Sequence, residues 1–583
     1  MLTKKTFIIS GFILLIMAVS FIILYFIYFK EVENVLEISK IFPYSTAFFW
    51  GIDNMQPRAN RIATSQTKDE LNKLGIDEYL QDLERIMDRE IFALTGLHVK
   101  DWIKFVSEDA GFAIDYKNKH IAFAGAVKLN KKSNEYNEAL SNKIFHLEGS
   151  RWQRKKYYKI EYNLSNKGYI VCIYKNIMIV SNDIDYFIEL CDVLLKKSKS
   201  LAHNDLFVKT QTNLKYVGGY FSYINVNKVI IKHELITFLF KKIFPLFGYD
   251  ILKFLKTSMV NYLVSPDEVK AIALSGDIIG EEIIQKAYIA LSKKNKVNLL
   301  AYFLSLKPFR FDIDKIISRK CIDFIIFHVD DVNKLYEKLD EQIQDTKDTK
   351  IQLIFFLALK FLESEGIDIK RDIINLLDNQ IVLYDYKIER KNRIGYLLGV
   401  KIKDGLKFKD ALVKFEKIYS NYSIKIQNED YYDYKIYCSE VALRGDMKLC
   451  YAASKDYLFI ADDDKILKES IDIERKKVDS ITKDIKYKNC KAKVDKKSNF
   501  LLYSKGSIAS LIIGRGSKKL EGDYEQNRIK EAMKILQESI EKSCGEISVG
   551  SIGDDGFVIK TYFPLSYIYA LEILFVKNLL NKS

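Results

Sequence analysis

Cys438 and Cys450 each lie six residues from Arg444, on the two arms of a stretch that reads as a hairpin. If a three-residue loop closes that hairpin, the thiols face each other. They can then form a cross-strand disulfide, given a suitable Cβ separation and an oxidising compartment. The tip, Arg444-Gly445-Asp446, spells a cell-adhesion tripeptide, yet Gly and Asp are ordinary turn residues there. His328 ends an apolar run and is followed by Asp330 and Asp331, which makes it the best single titratable candidate among six histidines. The plainer reading is a strand histidine with satisfied hydrogen bonds. Ser65-Gln66-Thr67-Lys68 fits S-x-x-K without the S-D-N or K-T-G that would accompany it. Asp462-Asp463-Asp464 sits at a helix start, where carboxylates cap backbone N–H groups, so capping is preferred to metal binding. Gly514-Arg515-Gly516-Ser517-Lys518 lacks P-loop spacing, and neither G-x-S-x-G nor HExxH is present. The sequence therefore names no catalytic residue, cofactor or metal ligand.

A binding surface is a better prospect. Lys228–Val264 is an apolar, basic helical stretch broken at Pro245 and Gly248, and Phe238, Phe240, Lys241, Lys242, Phe244 and Phe247 are its candidate lipid contacts. Such a face lies on an anionic bilayer or lines a lipid-sized cavity. The plainer reading, a core helix pair with snorkelling lysines, is preferred for the stretch, with lipid contact as the hypothesis beside it. The helix Ile351–Glu365 is apolar all round over Leu353–Leu359, which reads as a buried helix, with membrane contact as the alternative.

Around these candidates the chain carries its own anchor. Residues 1–5 include Lys4 and Lys5 and read as a cytoplasmic N-terminus. Thr6–Phe29 is uncharged and, as a helix at ~1.5 Å per residue, is long enough to span a bilayer core. A cleaved signal peptide would have a shorter apolar core and a small-residue cleavage site, so an uncleaved signal anchor is preferred. Residues 30–40 are a juxtamembrane connector. The lysines before the run place the N-terminus inside and the remaining body on the non-cytoplasmic face of the cell membrane.

The 583 residues carry a net charge of +14, with 48% hydrophobic residues. That balance suits an anionic lipid or an envelope polymer as partner. Lysines alternate finely with acids and no basic arm with interleaved aromatics occurs, so nucleic acid is not expected. Seven cysteines, an odd number with no CxxC pair, do not make a disulfide framework.

Two stretches set the architecture. Gly96–Lys117 and Gly366–Lys387 align without a gap at an offset of 270 and share six identical columns. A helix precedes each Gly, over residues 76–95 and Ile351–Glu365. A strand and hairpin follow: Phe112–Tyr116 with Ile121–Leu129, and Ile381–Tyr386 with Ile394–Ile402. A second hairpin aligns Tyr158-Lys159-Ile160 with Tyr434-Lys435-Ile436 at an offset of 276. The strands Ile177–Ser181 and Tyr457–Ala461 then align at 280. Terminal hairpins close each half, and Tyr567–Leu580 reads as an amphipathic packing helix. The expected fold is α+β: a transmembrane helix, then two tandem repeats, 41–300 and 301–583, each an antiparallel sheet with packed helices.

The strand after Pro43, the Gly-Leu/Ile-x-Val/Ile-Lys step before a short helix and a strand, and the paired hairpins resemble a group of bacterial membrane-anchored proteins. These form a domain-of-unknown-function family with a duplicated extracytoplasmic α+β unit. The resemblance spans most of 41–570; Lys320-Cys321 departs from it where the first copy has Pro43. It implies no site residues. The expected function is a non-enzymatic envelope binding or scaffold protein, with lipid binding or transfer as the alternative and an envelope hydrolase third.

Overall fold

The computed structural model describes residues 36–53, 64–73, 106–129, 152–231, 269–292, 306–505 and 545–565, with short interruptions, and single residues elsewhere. The run Thr6–Phe29, the helix over 76–95, the candidate contacts Phe238, Phe240, Lys241, Lys242, Phe244 and Phe247, the Arg444-Gly445-Asp446 tip and the C-terminal helix lie outside them. Among the described residues no helix is long and apolar enough to cross a membrane. The fold is mixed α+β, with extensive antiparallel sheet and several helices. Two compact units divide the chain. One takes Met1–Pro57, Thr95–Asn225 and Ala273–Ser275; the other takes Arg58–Leu94, Val226–Ile272 and Gly276–Ser583.

The strands of the first unit are β1 (Phe48–Ile52), β2 (Val106–Lys117), β3 (His120–Leu129), β4 (Trp152–Tyr157), β5 (Ile160–Ser165), β6 (Ile170–Tyr174), β7 (Ile177–Ser181) and β8 (Tyr220–Asn225). Their antiparallel ladders run β8-β1-β2-β3-β7-β6-β5-β4. Alternate side chains enter the core because successive Cβ atoms point to opposite faces. Phe49 is buried between Ala113 and Tyr223 in register, and it meets Phe42 and Phe207 edge-on at 5.3 and 5.6 Å. Helices α1 (Ile184–Leu194) and α2 (Asp205–Leu214) start on carboxylate and amide caps: Asp183 accepts from the Tyr186 N–H, and Asn204 from those of Leu206 and Phe207. Each cap contributes about 1 kcal/mol.

β9 (Val269–Ile279) is divided between the units; the strands of the second are then β10 (Glu282–Leu291), β11 (Cys321–His328), β12 (Leu377–Ile388), β13 (Arg393–Ile402), β14 (Ile426–Tyr431), β15 (Tyr434–Ser439), β16 (Cys450–Ala453), β17 (Tyr457–Ala461), β18 (Phe500–Ser504), β19 (Glu546–Gly553) and β20 (Gly556–Pro564). From β10 the ladders run β10-β20-β19-β18-β11-β12-β13-β17-β16-β15-β14. Besides the short helices Gln66–Lys73 and Val226–Ile231, the described helices of this unit are α3 (Val332–Gln344), α4 (Thr349–Ser364), α5 (Gly405–Asn421), α6 (Asp464–Glu474) and α7 (Ile485–Lys491). Asp463 caps α6 and Asp484 caps α7, so the acidic run at 462–464 serves the helix start.

α4 stops at Gly366, whose φ of +79° is a left-handed conformation glycine adopts freely. The Gly366 N–H bonds the Glu363 carbonyl and the Ile367 N–H bonds that of Leu362, the paired closure of a Schellman cap.

One alignment is corrected. The turn residues with positive φ are Tyr158 and Tyr432, and the flanking pairs are Tyr157 with Ile160 and Tyr431 with Tyr434. The β4–β5 and β14–β15 hairpins therefore correspond at an offset of 274, not 276. The Tyr-Lys-Ile triplet that suggested 276 recurs by composition, whereas the turn geometry fixes the register. Cys438 then occupies the place of Leu164.

Candidate functional site

Of the chemistry-bearing residues, His328 is buried at the end of β11. Its Nε2 lies 2.9 Å from Asp330 Oδ1, and its ring stacks on Phe309 at 4.1 Å. Its Nδ1 is buried and has no hydrogen-bond partner among the described residues. Asp331 accepts the Asn333 N–H at the start of α3. A His–Asp pair is half of a proton relay, but among the described residues the polar partner of the ring is Asp330 and its stacking partner is Phe309, neither of them a nucleophile held against the other ring nitrogen.

Ser65 Oγ accepts the Lys68 N–H at 3.1 Å, so this S-x-x-K is a helix start, and the Glu281 carboxylate accepts the next two amides, of Gln66 and Thr67. Cys438 and Cys450 face each other in the β15–β16 ladder, 4.1 Å apart at Cα, and form a disulfide. The stacked rings of Tyr437 and Tyr451 flank it. Cys172, Cys191, Cys321 and Cys490 are buried and lie outside the disulfide.

The sequence did not single out three carboxylates on one face of the sheet, on β12, β11 and, beyond Ser504 of β18, β19. Tyr384, Phe324 and Ile547 enter the core, so their neighbours Asp385, Asp323 and Glu546 belong to the opposite face. The Asp323 N–H donates to Asp385 at 3.0 Å. Burial and then the Asp323 charge raise Asp385 to about 6, and the same two causes raise Glu546 to about 7. Among the described residues no three His, Cys, Asp or Glu side chains are placed to hold a metal. Between the ordinary carboxyl range and pH 7 the folded chain holds protons that the unfolded chain has released, so stability falls as pH rises through that window. Asp385→Asn keeps the accepting oxygen and removes the penalty. Its melting temperature should match the parent at pH 4 and exceed it by a few degrees at pH 8; equal melting at both would refute the assignment.

The most unusual surface is α4. Its sequence, apolar all round, reads as a buried helix, and that expectation is overturned: among the side chains described on α4, none is buried. Leu353, Phe356 and Leu357 are 57, 56 and 55% exposed, and Phe361 joins them one turn on. Spacings of three, four and eight residues put the four on one stripe. The helix is held at its C-terminal end. Phe361 packs on Tyr422 at 5.1 Å, and the Tyr422 hydroxyl donates to Glu365 at 2.6 Å. At the helix's far end Gln352 donates to the Gln344 carbonyl.

Residues 334–532 match a family described as "Protein of unknown function (DUF3352)". The matched segment holds α4, the disulfide and α6. No curated protein matches the chain. Among solved structures, "Structure of crystal form I of TP0453" is similar over 47% of this chain and 87% of that one, at 14% identity and a TM-score of 0.26. Crystal form IV of TP0453 is similar over 43% and 79%, at 10% identity and a TM-score of 0.24. Overlaps this weak carry no argument.

Proposed function

We propose that the chain is a single-pass membrane protein whose extracytoplasmic body, one α+β unit used twice, binds at a bilayer surface and does not turn over a substrate. α4 is the lipid contact. The observation that carries this reading is the exposed stripe of Leu353, Phe356, Leu357 and Phe361 on one helix. Contiguous exposed apolar surface of this kind marks an interaction site, because leaving it in water costs about 25 cal/mol per Å². The uncharged run Thr6–Phe29 supports a lipid as the occupant, since it would hold the body at a bilayer. The repeated order of caps, hairpins and strand pairs supports the duplication.

A benzophenone side chain in place of Phe356, in the full chain reconstituted in lipid nanodiscs, should crosslink to acyl chains on illumination. The same group in place of Val413, an exposed apolar residue on α5, should not. Crosslinks from position 356 to protein alone would replace the lipid reading with a scaffold one.

A further inference from the structure

We infer that the β4–β5 hairpin of the first unit is a docking surface for anionic phospholipid headgroups, so that the membrane reading acquires a lipid class; the inference rests on that reading. The hairpin and the segment after α1 expose Arg154, Lys155, Lys156, Lys159 and Lys199. Tyr158 at its tip is 64% exposed, with Lys197 over its ring. The hairpin is fixed to α1 by the Tyr157 hydroxyl donating to Asp192 at 3.0 Å.

The second unit supplies an internal control. Its β14–β15 hairpin has the same turn, and its Tyr431 hydroxyl donates to Asp472 on α6. Arg475 and Lys477 stand over the Tyr432 ring. Yet the five corresponding positions are Asn428, Glu429, Asp430, Asp433 and Asp479. The fold thus requires no cations there, and a general excess of lysine would have supplied them to both hairpins.

The two surfaces also differ in how they are balanced. Glu429 pairs with Lys468, Asp433 with Arg475 and Asp479 with Arg319, all within the unit. In the first unit Arg154 pairs with Glu161, and no ion pair is recorded for Lys155, Lys156, Lys159 or Lys199 among the described residues. A surplus of positive charge in one exposed hairpin takes an external anion.

Chain length selects a bilayer as the source of that anion. Phe29 ends the uncharged run, and the first unit is already packed at Leu36, which is buried. Seven residue steps span at most ~25 Å. The hairpin's unit is therefore tethered near the headgroups, where each lysine at an anionic surface gains about 1 kcal/mol.

The test uses the full chain in nanodiscs of neutral or of mixed neutral and anionic lipid. Acylation rates at single lysines are read by mass spectrometry. Acylation of Lys155, Lys156, Lys159 and Lys199 should slow about fivefold in anionic discs and recover in high salt, with Lys476 and Lys477 of the second unit unchanged. Lys155→Glu/Lys156→Asp/Lys159→Asp installs charges the corresponding hairpin already carries, and it should abolish the lipid dependence at Lys199. Equal acylation in both discs overturns the inference. So does protection by a soluble polyphosphate in neutral discs without protection by anionic discs, which would make the partner a polymer. Failure of the α4 reading appears separately, as loss of the lipid crosslink at position 356 with lysine protection intact.

Discussion

Leu353→Gln/Phe356→Gln/Leu357→Gln should shift the docking equilibrium of the body on a bilayer about a hundredfold towards release. Each side chain is already half covered, so transfer of the remainder into lipid is taken as about 1 kcal/mol apiece. Three of them give about 3 kcal/mol, about two orders of magnitude. Energy transfer from a donor on the body to acceptor-labelled lipids in nanodiscs measures the shift. Stability should change little, because Gln has nearly the helix propensity of Leu and none of the three side chains is buried. A variant that melts early would mean that these three side chains, and not only Phe361, pack on the body. Undiminished energy transfer with normal melting would remove α4 from the membrane contact.

Removing the Cys438–Cys450 disulfide should cost about 3 kcal/mol. The bridge closes a short loop, its cysteines being 12 residues apart, and the chain-entropy estimate for about 15 residues is of that size. Two double variants separate cross-linking from packing. Cys438→Ser/Cys450→Ser loses the bond and places hydroxyls where Cys438 and Cys450 are buried. Cys438→Leu/Cys450→Ile installs the pair that faces between β5 and β6 of the first unit, Leu164 opposite Ile170. The second variant should therefore recover part of the loss in a urea midpoint, the Ser pair none of it. Reduction of the parent chain should lower the midpoint as well, and a midpoint insensitive to reduction would count against the estimate.

How much of this was legible in the sequence depends on the interaction concerned. Gly366 and Asp463 were readable because helix ends are local: a glycine can take the left-handed turn that stops a helix, and one carboxylate answers one or two nearby N–H groups. The hairpins were readable from alternation and turn residues, but their register was not. In a stretch rich in Tyr and Lys, the Tyr-Lys-Ile triplet offers a false alignment two columns away. Only the left-handed residues Tyr158 and Tyr432 decide between them. α4 was readable as a helix and misread as core, since an all-round apolar pattern says that a helix avoids water without saying what covers it. The Asp323, Asp385 and Glu546 row had no signal at all. Its members come from β11, β12 and β19, so their proximity is a product of strand order. The difference in charge between the two hairpins was present in plain letters but acquires meaning only once the turns are superposed.

The ladder between β10 and β20 also constrains how the chain is made. Glu282 pairs with Pro564, a partner synthesised 282 residues later. At about 5–20 residues per second, β10 waits roughly 15–60 s before the strand that covers it exists. Through that interval the second unit has an open edge of unsatisfied N–H and C=O groups, the kind of edge that recruits stray strands. Completion of the second unit thus waits on synthesis of β20, and a holdase acting in this period would raise the yield of folded protein more than one acting earlier.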